Sequence, residues 1–251
     1  MNRIETLSKS ISGSDPAVIP YVTGGFPDSD TFIRNLAQLR AIAPAVEVGI
    51  PFSDPMADGA TIQESSRLAL AAGASLDQIL KSIETGASEG SPLVIMSYLN
   101  PLLAYGLDEL MPRLGAVGVA ALVIPDLPLE EAAEVRERAH SESIGLVQMV
   151  TPLTSAERLA TLVGSSDGFV YAVTMTGTTG GEIAAGDHLA SYLDRVSELS
   201  EVPVVAGFGV RTSRQVRELS SHCDGVIVGS ALVEVISAGN DPIDFYRELT
   251  S

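Results

Sequence analysis

A carboxyl group set into an apolar strand is the first candidate for chemistry in this chain. It lies in the run Val46-Glu47-Val48-Gly49-Ile50-Pro51-Phe52-Ser53-Asp54-Pro55-Met56-Ala57-Asp58-Gly59. Strand side chains alternate between faces. Val46, Val48 and Ile50 share one face and suit packing on outer helices, which leaves Ala45, Glu47 and Gly49 facing the other way. A carboxylate buried among apolar layers is desolvated, so its pKa rises and it becomes an acid/base for work near neutrality. The competing reading is a structural Glu47 neutralised by an Arg or Lys elsewhere in the chain. Function is the favoured reading, because a buried unpaired Glu is rare and usually has a task. Asp54 and Asp58 follow in a loop with Pro51, Pro55 and Gly59. Asp54 reads best as a turn residue. For Asp58 the local sequence supports a turn and a second functional carboxylate equally.

Three glycine-rich runs are candidates for covering a site or holding an anion. Thr174-Met175-Thr176-Gly177-Thr178-Thr179-Gly180-Gly181-Glu182 is polar and long enough for a lid, and equally suits a surface loop. Ala206-Gly207-Phe208-Gly209-Val210 and Val228-Gly229-Ser230-Ala231 are short turns in which backbone N–H groups can approach phosphate oxygens closely. His140, His188 and His222 lack metal-ligand spacing, so no metal site is expected, and His222-Cys223 reads as packing. There is no nucleophile elbow and no Gly-Lys-Ser/Thr phosphate loop, which argues against nucleotide hydrolysis.

These residues need a frame. Apolar runs rich in β-branched residues at Ala17–Thr23, Ala45–Ile50, Leu93–Tyr98, Val119–Ile124, Gly145–Val150, Gly168–Thr174, Val202–Ala206 and Gly225–Val228 read as buried strands. Helical patterns fill the gaps. One runs from Asp28 to Ile42, others over Leu129–His140 and Ser155–Val163, and one follows a cap at Thr212 or Ser213. An extra helix around Ile4–Ile11 precedes the first strand. Eight strand–helix units in 251 residues predict an α/β fold, a TIM (β/α)8 barrel with an extra N-terminal helix, as one domain over residues 1–251. The runner-up is an open doubly wound sheet, which fits less well because no Gly-rich dinucleotide turn follows the first strand. In a barrel, active-site groups sit at the C-terminal strand ends, and the turns after strands 7 and 8 form a phosphate site. The candidates above occupy those places.

Composition narrows the partners. Fifteen Lys plus Arg against 32 Asp plus Glu give a net charge of −17, which opposes electrostatic binding to nucleic acid or an anionic membrane. Lys9 and Lys81 are the only lysines, so the acidic surface is also Lys-poor, as suits high salt, although an ordinary acidic protein is the simpler reading. No apolar run approaches the ~18 residues of a membrane span. Met1 to Glu5 shows no secretory signal, and one cysteine, Cys223, permits no internal disulfide. A cytoplasmic small-molecule enzyme is expected.

The motifs, in order and spacing, resemble the tryptophan synthase α-subunit family over nearly the whole chain. The resemblance rests on Ile50 to Gly59 preceded by Glu47, and on Pro20-Tyr21-Val22-Thr23-Gly24-Gly25, Met96-Ser97-Tyr98-Leu99-Asn100-Pro101 and Pro125-Asp126-Leu127-Pro128. Gly207-Phe208-Gly209 and Gly229-Ser230 complete it. It implies retro-aldol cleavage of indole-3-glycerol phosphate to indole and glyceraldehyde 3-phosphate, with no metal and no organic cofactor. Glu47 would be the acid/base, and Asp58 would accept a hydrogen bond from the indole N–H and stabilise its positive charge. Tyr171 would orient Glu47. Tyr21, Met96, Tyr98 and Phe208 would wall the indole, while Gly180, Phe208, Gly209, Gly229 and Ser230 would hold the phosphate. Thr179 would be the lid residue that meets Asp58 on closure. The family also implies a β subunit, in an α2β2 assembly, that joins the indole to serine. Ala60, Thr174, Met175 and Thr178 depart from the family's usual residues, on the lid and the Asp58 loop. Two other roles fit the resemblance: a regulatory module that activates a β partner without efficient catalysis, which the retained Glu47 and Asp58 oppose, and a free-standing indole-producing lyase. Another phosphosugar barrel enzyme is a more distant alternative.

Overall fold

The computed structural model describes residues 2–251 apart from 88, 175–186 and 208. Eight parallel strands follow one another around a closed barrel: β1 (Ala17–Thr23), β2 (Val46–Gly49), β3 (Leu93–Met96), β4 (Val119–Val123), β5 (Gly145–Val150), β6 (Val170–Val173), β7 (Val204–Gly207) and β8 (Gly225–Val228). β1 also pairs with β8, which rules out the open-sheet alternative. Several ladders are a residue or two shorter than the apolar runs suggested, as at β2, where Pro51 lacks the N–H to extend the pairing.

Between β1 and β2 lies α2 (Ser29–Arg40), capped by Asp28, whose side chain accepts from the Thr31 N–H. Its Phe32, Leu36 and Leu39 are fully buried at helical spacing. Between strands, among the described residues, the expected single helix is doubled in two places. α3 (Ala60–Ala71) and α4 (Leu76–Gly86) both precede β3, and α5 (Leu99–Tyr105) and α6 (Leu107–Ala116) both precede β4. Each break sits at a glycine in the left-handed region, Gly73 (φ +90°) and Gly106 (φ +93°), where continuing an α-helix is impossible. The helix expected over Leu129–His140 is also divided, into one 3-10 turn at Leu129–Glu131 and α7 (Ala133–Ser141). The remaining helices are α8 (Ala156–Val163), α9 (Asp187–Leu199), α10 (Ser213–Ser220), α11 (Ser230–Ser237) and α12 (Pro242–Leu249). At α10 the cap is Thr212, in a capping box with Gln215.

The N-terminal helix α1 (Arg3–Ser12) closes the bottom of the barrel. Leu7 and Ile11 are wholly buried beneath it. Ser10 donates to Pro44 O at 2.6 Å, Ser8 to Gly168 O at 2.7 Å and Arg3 to Glu142 O at 3.0 Å, all in segments that lead into strands. Access to the barrel interior is therefore left to the opposite, C-terminal face. No helix of the described residues is long and apolar enough to cross a membrane.

Candidate active site

Residues paired across neighbouring parallel strands face the same side of a sheet. The register aligns Tyr21 with Glu47, Glu47 with Val94 and Val94 with Ala121, so Glu47 belongs to an inward layer of otherwise apolar or aromatic side chains. One level higher, Gly49 aligns with Met96 and Met96 with Val123. On the far side Tyr171 of β6 aligns with Val205 and faces inward as well. The sequence reading of Glu47 as an inward carboxylate is thus how the barrel places it.

Glu47 is 1% exposed, and among the described residues neither of its carboxylate oxygens has a hydrogen-bond partner. Among the described residues no Arg or Lys pairs with it. Burial, and then the charge of Asp58, push its pKa from 4.5 up to about 8, so at neutral pH it carries a proton. Asp58 sits in the loop above β2, half-buried, and burial pushes its pKa up to about 6, opposed by a hydrogen bond from Tyr98. Two carboxyls in one pocket are therefore split in role: near pH 7 Glu47 is an acid and Asp58 is an anion.

Two glycines make room for the phenols beside them. A Cβ on Gly49 would lie 1.9 Å from the Tyr21 hydroxyl oxygen, and a Cβ on Gly207 would lie 2.4 Å from that of Tyr171. Each glycine ends the strand next to the one that carries its tyrosine, so both rings lean across a strand end into the pocket. Burial raises both phenol pKa values well above the usual, which keeps them protonated donors, and the field of Glu47 acts on both. Met96 ends β3, 8% exposed and inward, and Tyr98 follows as the residue that begins α5.

The Asp58 loop is held from several sides. The Ala57 N–H donates to the Tyr98 hydroxyl at 2.8 Å. The Gln63 side chain on α3 donates to Pro55 O at 3.2 Å and to Asp58 O at 2.9 Å. α3 is itself tied to β1 through Thr23 and Ser65, whose hydroxyls are 2.7 Å apart. Ala60 occupies the first helical position after the Gly59 cap, so α3 begins directly behind the Asp58 loop. Asp54 is exposed and accepts from Ser53 Oγ at 2.5 Å, as a turn residue would.

On the other side of the mouth, Gly209 has φ +85°, a conformation that glycine alone adopts freely. Gly229 precedes α11 with no side-chain cap, so the first N–H groups of that helix, beginning at Ser230, are open to an anion. The lid residues Thr179 and Gly180, with the rest of Thr174–Glu182 beyond Thr174, and Phe208 lie outside the described residues. Thr174 anchors the start of that segment, its hydroxyl donating to Gly207 O at 2.9 Å.

In the motif Pro125-Asp126-Leu127-Pro128, Asp126 has a structural task. Its carboxylate accepts from the Leu99 N–H at 2.9 Å and so caps the helix that begins at Tyr98. That contact spans two strand ends, and local sequence holds no signal for it. His222 pairs with Asp194 at 2.7 Å, and Cys223 is a partly buried thiol whose sulfur lies 3.2 Å from both Leu219 O and Gly225 O. Among the described residues no three His, Cys, Asp or Glu side chains converge as metal ligands do.

Comparison with known proteins bears on this arrangement. The family model for the tryptophan synthase alpha chain matches residues 7–249. The tryptophan synthase alpha chain of Carboxydothermus hydrogenoformans is 43% identical over 240 residues, covering 94% of this chain and 90% of the relative. That of Chloroflexus aggregans is 39% identical over 238 residues, covering 93% and 89%. Among solved structures, a Mycobacterium tuberculosis tryptophan synthase chain superposes with a TM-score of 0.90 at 33% identity, over 99% of this chain and 97% of that one. A chain of the α2β2 tryptophan synthase complex of Pyrococcus furiosus gives 0.85 at 35% identity, over 93% and 96%. The family model spans all but the ends of the chain, and the alpha chain relatives cover more than nine-tenths of it at 39–43% identity: the chain belongs to the tryptophan synthase alpha chain family.

Proposed function

We propose that this chain, acting as one catalytic domain, cleaves indole-3-glycerol phosphate to indole and glyceraldehyde 3-phosphate. The observation that carries the reading is the split between its two carboxyls. Protonated Glu47 donates to C3 of the indole ring, and the ring becomes cationic. Ionised Asp58 accepts the hydrogen bond from the indole N–H and offsets that charge. Glu47, now a carboxylate, takes the proton of the C3′ hydroxyl. The C3–C3′ bond then breaks, its electron pair returns to the ring, and the C3′ oxygen becomes the aldehyde oxygen. Glu47 ends the cycle protonated, so no net proton is consumed. The ring lies against Tyr21, Met96, Tyr98 and Phe208, and Tyr171 orients Glu47. The phosphate rests on the backbone N–H groups of Gly180, Gly209, Gly229, Ser230 and Phe208, and Thr179 meets Asp58 when the lid closes.

A β subunit is the proposed consumer of the indole, in an α2β2 assembly and in the cytoplasm. Met56 is 75% exposed, Leu103 52% and Leu153 82%, and all three lie in segments that follow strands, on the face that bears the site. Large apolar side chains left in water beside an active-site mouth suit a protein partner. The test is indole release from indole-3-glycerol phosphate by the purified chain, with and without a β subunit. Low release alone and clear activation by the partner are expected. High release alone would favour a free-standing lyase, and none in either case would leave a regulatory module.

A further inference from the structure

Two of the segments proposed to hold the phosphate are the turn after β7, which carries Gly209, and α11, which opens at Ser230. One carboxylate joins them. Glu234, on α11 one helical turn after Ser230, accepts from Arg211, which lies just beyond Gly209. Arg211 Nη1 meets Oε1 at 3.3 Å and Nη2 meets Oε2, so the guanidinium is held by its two-pronged edge. The same Oε1 accepts from the Thr61 hydroxyl at 3.1 Å. Thr61 lies in the first turn of α3, directly behind the Asp58 loop. Arg211 is also set from its own side. Its N–H and that of Thr212 donate to Gln215 Oε1 at 2.8 and 3.2 Å, inside the capping box of α10. Glu234 thus ties together the β7 turn, α11 and α3, the segments that flank a substrate whose phosphate lies at one end and whose indole N–H lies at Asp58.

We propose that Glu234 is a positioning residue: through Arg211 it fixes the spacing of the two phosphate-holding segments, and through Thr61 it seats them against the Asp58 loop. The role rests on the reaction proposed above. Stability is not what the pair supplies. The side chains of Arg211 and Glu234 are 50% and 44% exposed, and a surface ion pair adds little to the folded state. It supplies geometry. Backbone N–H groups cannot reach out to follow an anion, so they must already stand at hydrogen-bond distance, and a small error in spacing weakens several bonds together. Charge does not explain the carboxylate either. Glu234 sits one helical turn behind N–H groups that would meet a phosphate dianion, where a negative charge by itself opposes binding. Its removal would leave the Arg211 cation unopposed beside the site. Charge and positioning therefore predict opposite signs when Glu234 is neutralised.

Glu234→Gln keeps the shape and removes the charge that holds the Arg211 fork. Charge alone predicts that glycerol 3-phosphate binds more tightly to this variant. The proposal predicts binding weaker by about three- to tenfold in a calorimetric titration, with the urea midpoint in place. Arg211→Ala should weaken binding as much, and the two changes together no further, because both break one link. Arg211→Lys keeps the charge without the fork and should fall between. Thr61→Val isolates the second task. Its affinity for glycerol 3-phosphate should hold, while kcat for indole release, measured with the β subunit, falls by about threefold. Tighter or unchanged binding in Glu234→Gln overturns the proposal, as do additive losses in the double variant. A urea midpoint that falls in step with affinity overturns it as well, since the pair would then be a structural support only. An unchanged kcat in Thr61→Val overturns the link to the Asp58 loop. If the wild-type chain does not bind glycerol 3-phosphate, the cradle is wrong and the proposal falls with it. If it binds but releases no indole, the reaction is wrong, and the titrations still decide the role of Glu234.

Discussion

Glu47→Gln should stabilise the protein at alkaline pH, and the size of the effect follows from where the carboxyl sits. Glu47 ionises at about 8 in the fold instead of the usual 4.5. The unfolded chain therefore gives up this proton first, and stability falls as pH rises from about 4.5 to about 8, then levels off. At about 1.4 kcal/mol per pH unit the full loss is roughly 5 kcal/mol, of which roughly 3 is already spent at pH 7. Gln carries no charge, so this dependence vanishes, but its buried amide has no partner in place and costs about 1–3 kcal/mol at every pH. The two curves should cross. At pH 5 the variant is equal to the wild type or weaker, and at pH 9 it is stronger by roughly 2–4 kcal/mol. Urea unfolding of both proteins at pH 5, 7 and 9 reads the difference directly, since groups shared by the two largely cancel. Parallel stabilities across that range would refute the argument that Glu47 is buried, unpaired and protonated at neutrality.

Three further changes test other parts of the site. Asp58→Asn still accepts a hydrogen bond but offsets no charge, so kcat should fall steeply while glycerol 3-phosphate still binds; turnover near the wild-type rate would remove the electrostatic role. Gly49→Ala places a methyl 1.9 Å from the Tyr21 hydroxyl oxygen, so the ring must leave its place, at about 1–3 kcal/mol of stability. Urea midpoints and indole release should both drop, and a wild-type result in both would mean the phenol relocates freely. Gly209→Val forces a β-branched residue to φ +85°, at roughly 1–2 kcal/mol of strain. KM should rise and glycerol 3-phosphate should bind more weakly, whereas unchanged affinity would count against this turn as part of the phosphate cradle.

The barrel was legible because its strands are buried on both faces and read as apolar runs, and the spacing of those runs sets the eightfold alternation. β1, β5 and β8 keep the bounds their runs suggest, from Ala17, Gly145 and Gly225 onward. The paired helices before β3 and β4 were not legible, because Gly73 and Gly106 are single residues whose positive φ shows only in the folded chain. Glu47 could be placed inward from alternation alone. Its partner could not: the local sequence supports a turn and a function at Asp58 equally, and only the fold brings its loop over the strand end, held by Tyr98 and Gln63. Why Gly49 and Gly207 are glycine, and what Asp126 caps, depend on contacts between strands distant in sequence. No local pattern encodes such contacts.

Indole release by Glu47→Gln at pH 7, beside its circular dichroism, tests the account most directly. Gln is nearly isosteric with Glu but has no proton to transfer, and a positioned acid/base is worth ~10²–10⁴-fold in rate. The account expects a native-like spectrum with turnover reduced at least that far. A folded Glu47→Gln protein that releases indole at a rate near that of the wild type would contradict it.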